Sequence, residues 1–336
     1  MFRYVIAILG ILVLAATAQA KTIKLATLAP KGSPWHEILL DMVAEWEAAN
    51  GGTLDVRVYP GGVLGDELDT MRKLAIGQID GAMVTGTGLA RLVPDMWVFA
   101  MPRMVRTYPE IDLLRAEIGP ELKAQFWHKG YVVLNWGDAG WIRFFSNAPV
   151  VSPDDLRKLR LFTWAGDDIL LDAWRRERFH AIPLPATELF PALQSGMVDA
   201  YLTTPVASLS FQWFGMAPYM LDLNWAPLVG ATILRRADWE EIPEAARAKM
   251  LVSAERAGER LRERTRVFEE EAVSVMVAHG LTVTPVTPAA LEAWEEGARG
   301  ASEVIRKKYV SPDLAIRVQR LLGEYRSGLA KADAVN

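Results

Sequence analysis

From Thr22 onward short apolar strands alternate with amphipathic helices, which confines the chain to sheets of largely parallel strands covered by helices. Thr22 to Leu28 reads as a strand. Ser33 follows as a helix N-cap with Pro34 at the first helical position. Trp35, Ile38, Leu39, Met42, Val43 and Trp46 then recur at helical spacing until Asn50-Gly51-Gly52 stops the helix. Thr53 to Tyr59 alternates Leu54, Val56 and Val58 with Asp55 and Arg57, a second strand. Pro60-Gly61-Gly62 turns into a helix ending near Ile76, and Ile79 to Thr85 is a third strand.

The end of this unit is echoed later. Leu74 to Thr85 resembles Leu193 to Thr204: each has a helix-terminating glycine (Gly77, Gly196), then an aliphatic residue and Asp (Asp80, Asp199), then an apolar strand ending in Thr. A helix C-terminus calls for a residue that tolerates the left-handed conformation, hence glycine in both copies. Strands are also expected at Tyr131 to Asn135 and Leu159 to Thr163. Two similar α/β units imply two lobes with a ligand cleft between them. After Ile242 the chain turns helical. Pro243 to Ala278 has no internal proline and spans about 50 Å at 1.5 Å per residue, long enough to lie along both lobes. Helices near Pro288 to Lys308 and Pro312 to Leu329 complete the chain. The expected division is a signal peptide at 1–20, lobe 1 at 21–135, lobe 2 at 136–235 and a helical region at 236–336 carrying a short strand near 281–286.

The first twenty residues carry Arg3, an apolar stretch from Tyr4 to Ala16 and the small-x-small end Ala18-Gln19-Ala20, the layout of a cleavable secretory signal; an uncleaved anchor is the alternative. No later segment reaches the ~18 uninterrupted apolar residues of a membrane span. Zero cysteines exclude disulfides, thiolate metal sites and thiol catalysis. With 37 basic against 41 acidic side chains, a net charge of −4 and no run of five or six Lys/Arg, a nucleic-acid partner is not expected.

Catalytic constellations are missing as well. The four histidines lie far apart with no H-E-x-x-H, and G-x-S-x-G and P-loop motifs are absent. Gly86-Thr87-Gly88 lacks the third glycine of a dinucleotide site. No catalytic residue, metal or cofactor is expected, although carboxylates meeting across a cleft are not excluded by sequence.

Twelve tryptophans are the remaining signal. Trp46, Trp127, Trp174 and Trp294 sit in helical stripes and read as packing residues. Others fall where strands end: Trp141 with Arg143 in Gly140 to Phe145, Phe162 and Trp164 closing the Leu159 strand, Thr203 and Thr204 closing the next, then Trp213 on a following helix and Trp225. Ligands of open α/β sheets sit outside the carboxyl ends of strands. These residues, with Trp35 and Thr85 of the first unit, are therefore the candidate ligand-binding set, each with core packing as its alternative.

The chain at this point resembles the extracytoplasmic solute-binding proteins of tripartite ATP-independent periplasmic (TRAP) transporters, over Thr22 to about Tyr309. The resemblance is carried by Val58-Tyr59-Pro60-Gly61-Gly62 with Leu64-Gly65, Leu74 to Asp80, Val151-Ser152-Pro153-Asp154-Asp155-Leu156, Glu188, and Ala192 to Asp199. It implies a two-lobed α/β periplasmic-binding-protein-like fold, joined by crossing strands and a long helix, that closes on a small ligand in the periplasm and delivers it to membrane subunits. Some relatives also pair with a helical-repeat protein. The family usually clamps a ligand carboxylate with an arginine by two parallel hydrogen bonds. Here Phe162 holds that place, a second family arginine falls at Ile142 with Arg143 one position late, and a polar family residue is Thr204. An unpaired buried carboxylate costs on the order of 3–5 kcal/mol. The resemblance thus implies a ligand adapted to apolar contact. The alternative is an organic acid held by Arg143, or by Arg103 or Arg106, and a periplasmic hydrolase is the alternative outside binding proteins.

Overall fold

The computed structural model describes residues 21–166 and 168–333. The signal-peptide reading at 1–20 lies outside the described residues. Ten strands run in chain order as β1 (Lys21–Thr27), β2 (Leu54–Tyr59), β3 (Gly81–Thr85), β4 (Tyr131–Ser146), β5 (Arg160–Trp164), β6 (His180–Leu184), β7 (Ala200–Thr203), β8 (Tyr219–Leu221), β9 (Ala226–Arg235) and β10 (Thr282–Thr284). They are ordered β2-β1-β3-β9-β4-β7-β5-β6, with β8 pairing β4 and β10. Lobe 1 is built on β2, β1 and β3, mutually parallel, then β9 antiparallel to β3. Lobe 2 is built on the parallel set β7, β5 and β6.

One strand joins them. β4 pairs β9 from Tyr131 to Ile142, then pairs β7 from Arg143 to Ser146. The strand anticipated at Tyr131 to Asn135 is therefore only the first third of a 16-residue element, and the anticipated division at 135/136 falls inside it. Its second half reads poorly as a strand because Gly137 and Gly140 interrupt the β-branched and aromatic run. A break in register between Asp138 and Gly140 marks a bulge there.

The echoed segments are equivalent in space. Gly77 and Gly196 take φ of 73° and 70°. Asp80 exchanges hydrogen bonds with the backbone of Lys24 on β1, its N–H donating to the carbonyl at 3.0 Å and its carboxylate accepting from the amide at 2.7 Å. Asp199 does the same with Arg160 on β5, at 2.8 and 3.0 Å. Each aspartate thereby sets the register of the strand that follows it against its parallel neighbour, Gly81 opposite Leu25 and Ala200 opposite Leu161.

Helices cover both faces. Lobe 1 packs Tyr108–His128 and Pro312–Asp333 on one side, and Pro34–Ala49 with the long helix Glu244–Ala278 on the other. The long helix has 35 residues, about 52 Å at 1.5 Å each. Met250, Ala254 and Leu261 enter the core that holds Trp46 and Met42, whereas Met276 enters the lobe 2 core with Phe162, Tyr201 and Trp213. It also lies close against β4: a Cβ at Gly258 would stand 2.7 Å from the Trp136 carbonyl oxygen, so only glycine permits the approach. The helix Pro288–Tyr309 likewise serves both lobes, through Trp294 in lobe 2 and Ile305 in lobe 1.

Charged groups fasten the long helix to the crossing strand. The Asp138 side chain, 2% exposed, takes Arg115 from the helix Tyr108–His128 and Arg266 from the long helix, the latter at 3.0 Å. Three residues on, Glu269 accepts the Trp141 amide at 2.8 Å and the Tyr108 hydroxyl. Burial pushes the Glu269 carboxyl above the ordinary carboxylate range despite these hydrogen bonds. The folded state thus binds this proton more tightly than the unfolded chain does, and stability falls as pH rises from the unfolded toward the folded pKa. Glu269→Gln keeps an acceptor for Trp141 and removes the charge. In urea unfolding between about pH 4 and about pH 8 the variant should lose less stability with rising pH than the wild type. Parallel pH profiles would contradict this account of Glu269.

Candidate functional site

The carboxyl ends of the parallel strands in both lobes face a common space, a cavity of about 430 Å³. Its walls come from the ends of β1, β3, β5 and β7, the middle of β4 and β9, and Leu261 on the long helix. This is the location that open α/β sheets provide, because the chain leaves each strand there and backbone polar groups are free of the ladder. The lobes also meet directly: the Arg91 guanidinium of lobe 1 donates to the Gly166 carbonyl of lobe 2, two residues after Trp164.

Six of the ten sequence-derived candidates line this cavity: Trp35, Thr85, Trp164, Thr203, Thr204 and Trp213. Four do not, for identifiable reasons. Phe162 is 1% exposed and packs in the lobe 2 core against Trp164; the two share a face of β5, and Phe162 lies two residues back from the strand end that reaches the cavity. Trp141 lies beyond the β4 bulge, packed on Tyr108 at 5.6 Å between ring centroids. Trp225 stacks on Trp174 and meets Phe144 and Trp294 in a cluster within lobe 2. Arg143 is paired with Asp222 at 3.0 Å and, with Trp141, faces a separate surface recess. Trp213 lies in a short turn of 3-10 helix, Trp213–Gly215, rather than on an α-helix.

The other arginines considered as clamps are also elsewhere. Arg103 pairs with Glu295 and donates to the Asn224 carbonyl. Arg106 lines the same outer recess as Arg143. Among the described residues the cavity lining contains no Lys, Arg or His. It does contain two carboxyls that sequence reasoning missed, Glu67 and Asp138. Asp138 is neutralised by its two arginines, as described above. Among the described residues no arginine or lysine is hydrogen-bonded to Glu67; it accepts from the Thr85 amide at 2.6 Å, the Thr85 hydroxyl at 2.7 Å and the Gly88 amide at 3.1 Å. Burial raises its pKa, and those three donors only partly offset the effect. The signal available in sequence was Asp66-Glu67 after Gly65: Asp66 caps the helix Glu67–Ala75, and a second acid at the first helical position is ordinary. Nothing local reveals that the second one turns inward.

Hydroxyl chemistry in the cavity follows from these bonds. The Thr85 proton is committed to Glu67, so its oxygen faces the cavity as an acceptor. Thr204 accepts from the Ala207 amide as the N-cap of the helix Pro205–Ser210, leaving its proton free to donate. The rest of the lining is mainly carbon, including Met83, Phe190, Phe211 and Leu228. No group of three or more His, Cys, Asp or Glu suited to a metal ion occurs among the described residues, nor does a helix long and apolar enough to cross a membrane.

Comparison with known proteins agrees with this architecture. Residues 25–308 match the bacterial extracellular solute-binding protein family 7 (DctP), and the chain belongs to that family. A solute-binding protein of Roseobacter denitrificans is 28% identical over 187 residues, 55% of this chain and 57% of that protein, so the alignment covers little more than half its length. Among solved structures, a TRAP periplasmic solute-binding protein from Ralstonia eutropha with bound (S)-2-acetolactate superposes with a TM-score of 0.84 at 20% identity, covering 90% of this chain and 99% of that one. A sugar acid binding protein from Advenella mimigardefordensis in complex with galactonate gives 0.84 at 18% identity, covering 91% and 99%. At these identities the likeness is one of fold.

Truncating Glu67 should loosen the cavity floor. Glu67→Ala leaves the Thr85 and Gly88 amides without their acceptor, and thermal or urea unfolding should show a loss of about 1–3 kcal/mol. An unchanged midpoint would mean that water replaces the carboxylate without cost.

Proposed function

We propose that this chain is an extracytoplasmic receptor, exported by a cleaved signal sequence to the periplasm, that captures a small solute between its lobes. It binds without turnover and hands the solute to the membrane subunits of a TRAP-type transporter. The observation that carries the reading is the cavity itself: it takes wall residues from both lobes, at the strand ends. A solute held there contacts both halves at once, so binding favours the closed arrangement by as much as it favours contact with both walls. A helical-repeat partner belongs to the same proposal through the family resemblance alone.

Ligand class has two readings. The cavity chemistry supports an apolar or amphipathic solute, since among the described residues no cation lines the space while two carboxyls do. Burying ~300 Å² of apolar ligand surface is worth about 7 kcal/mol before ordering costs, at about 25 cal/mol per Å². The solved neighbours weigh toward the other reading, an organic acid: their ligands, (S)-2-acetolactate and galactonate, are both carboxylates. An acid in this cavity would be held by Thr204, Thr203 and backbone amides, because Arg143 is spent on Asp222 outside it.

Native mass spectrometry of protein purified without refolding, followed by calorimetry with galactonate, 2-acetolactate and neutral analogues of each, tests both readings. Trp164→Ala should weaken binding of the ligand found by at least about tenfold, whereas Arg143→Ala should change it less than about twofold. Loss of binding in Arg143→Ala with Trp164→Ala unaffected would move the site to the outer recess. Failure of every solute to bind would overturn the receptor reading.

A further inference from the structure

A second, smaller void of about 70 Å³ adjoins the first, lined from lobe 1 by residues such as Trp97 and Phe99 and from lobe 2 by residues such as Trp174 and Leu202. The two share a wall made by Thr85, Trp164, Thr203, Leu228 and Val229. Beyond that wall the lining becomes aromatic: Trp97, Phe99, Trp174 and Trp225, with Leu170 and Leu202. No charged side chain lines it among the described residues. One of its walls is also imperfectly satisfied, since the buried indole N–H of Trp174 has no hydrogen-bond partner among the described residues. Closed cores rarely keep both a void beside a cluster of large rings and an unpaired donor on one of those rings.

We infer that this void is a subsite of the cavity, and that the solute is bipartite: an oxygen-bearing head in the main cavity and a slim apolar tail that passes Trp164 into the annex. The inference rests on the receptor reading above and adds the shape of the solute to it. It is independent of whether the head is acidic or neutral. Trp164 is the natural divider, because it closes β5 at the point where both spaces meet and is only half-buried. The annex holds about two or three heavy atoms, given about 30 Å³ for a water-sized group, which limits the tail to a short alkyl or similar unit. It also assigns a purpose to Trp225, which the main cavity leaves out, and to Trp174, which the helical pattern marks only as a packing residue.

Two homologous series read the annex directly: n-alkanoates and the matching n-alkanols, from three to ten carbons, titrated against the full chain by tryptophan fluorescence and calorimetry. In at least one series affinity should rise about three- to fourfold per methylene for two or three methylenes and then level off. Ala100→Leu narrows the annex and should end the rise earlier, and Leu202→Ala widens it and should extend the rise. Short members should bind both variants as they bind the wild type. The inference is overturned if affinity is independent of chain length in both series, or if the two variants leave the length dependence unchanged. It is also overturned if neither series binds while galactonate or 2-acetolactate does, an outcome that leaves the receptor reading standing. If no probe of any kind binds, the receptor reading falls and the annex with it.

Discussion

The strand β4 is the constraint on which the molecule depends. It is hydrogen-bonded to lobe 1 along its first twelve residues and to lobe 2 along its last four, so neither sheet is complete without it. A strand that crosses two sheets must bend between them, and the bulge at Asp138–Gly140 supplies the bend. That point is held by buried charge: Asp138 between Arg115 and Arg266, and Glu269 on the Trp141 amide. Breaking such a buried cluster from one side is costly, because the remaining charges stay out of water without partners. The long helix is therefore fastened at the bulge, with its two ends packed into different cores.

This arrangement decides which residues of β4 face the cavity. Asn135, Gly137, Asp138 and Ala139 line the cavity, whereas Trp141 and Arg143, just past the bulge, face the outer recess. The cavity consequently lacks the one arginine that would make it an obvious carboxylate site. Its polarity comes instead from threonines oriented by their own bonds, Thr85 as an acceptor through Glu67 and Thr204 as a donor through its helix cap. Around them, carbon-bearing side chains from both lobes supply the contact area.

Much of the architecture was legible because it rests on local rules. The alternation of strands and helices, the helix cap at Ser33, and the matched Gly-x-x-Asp turns at 77–80 and 196–199 all express themselves within a few residues. The long helix was bounded to within a residue, Glu244–Ala278, by an uninterrupted helical pattern ending at Gly280. The site was half legible. Threonines at strand ends reach the cavity because a strand's carboxyl end has a fixed relation to a parallel sheet. Phe162 failed the same test because it lies two residues back from the end of β5, on the same face as Trp164 and packed against it in the core. β9 stayed unseen: its apolar run is broken by Pro227 and Gly230, and it enters antiparallel between β3 and β4, which no local pattern announces.

The amino-acid sequence by itself determined the α/β class, the duplicated unit and the family, since periodicity, capping and turn chemistry are short-range and survive in any chain that folds this way. Only the tertiary structure decided what the cavity contains. Whether an aromatic side chain packs a core or faces the cavity, and whether Glu67 turns inward while Arg143 turns out to Asp222, depends on bends and crossings between residues far apart in the chain. Burial and charge pairing are properties of those long-range contacts.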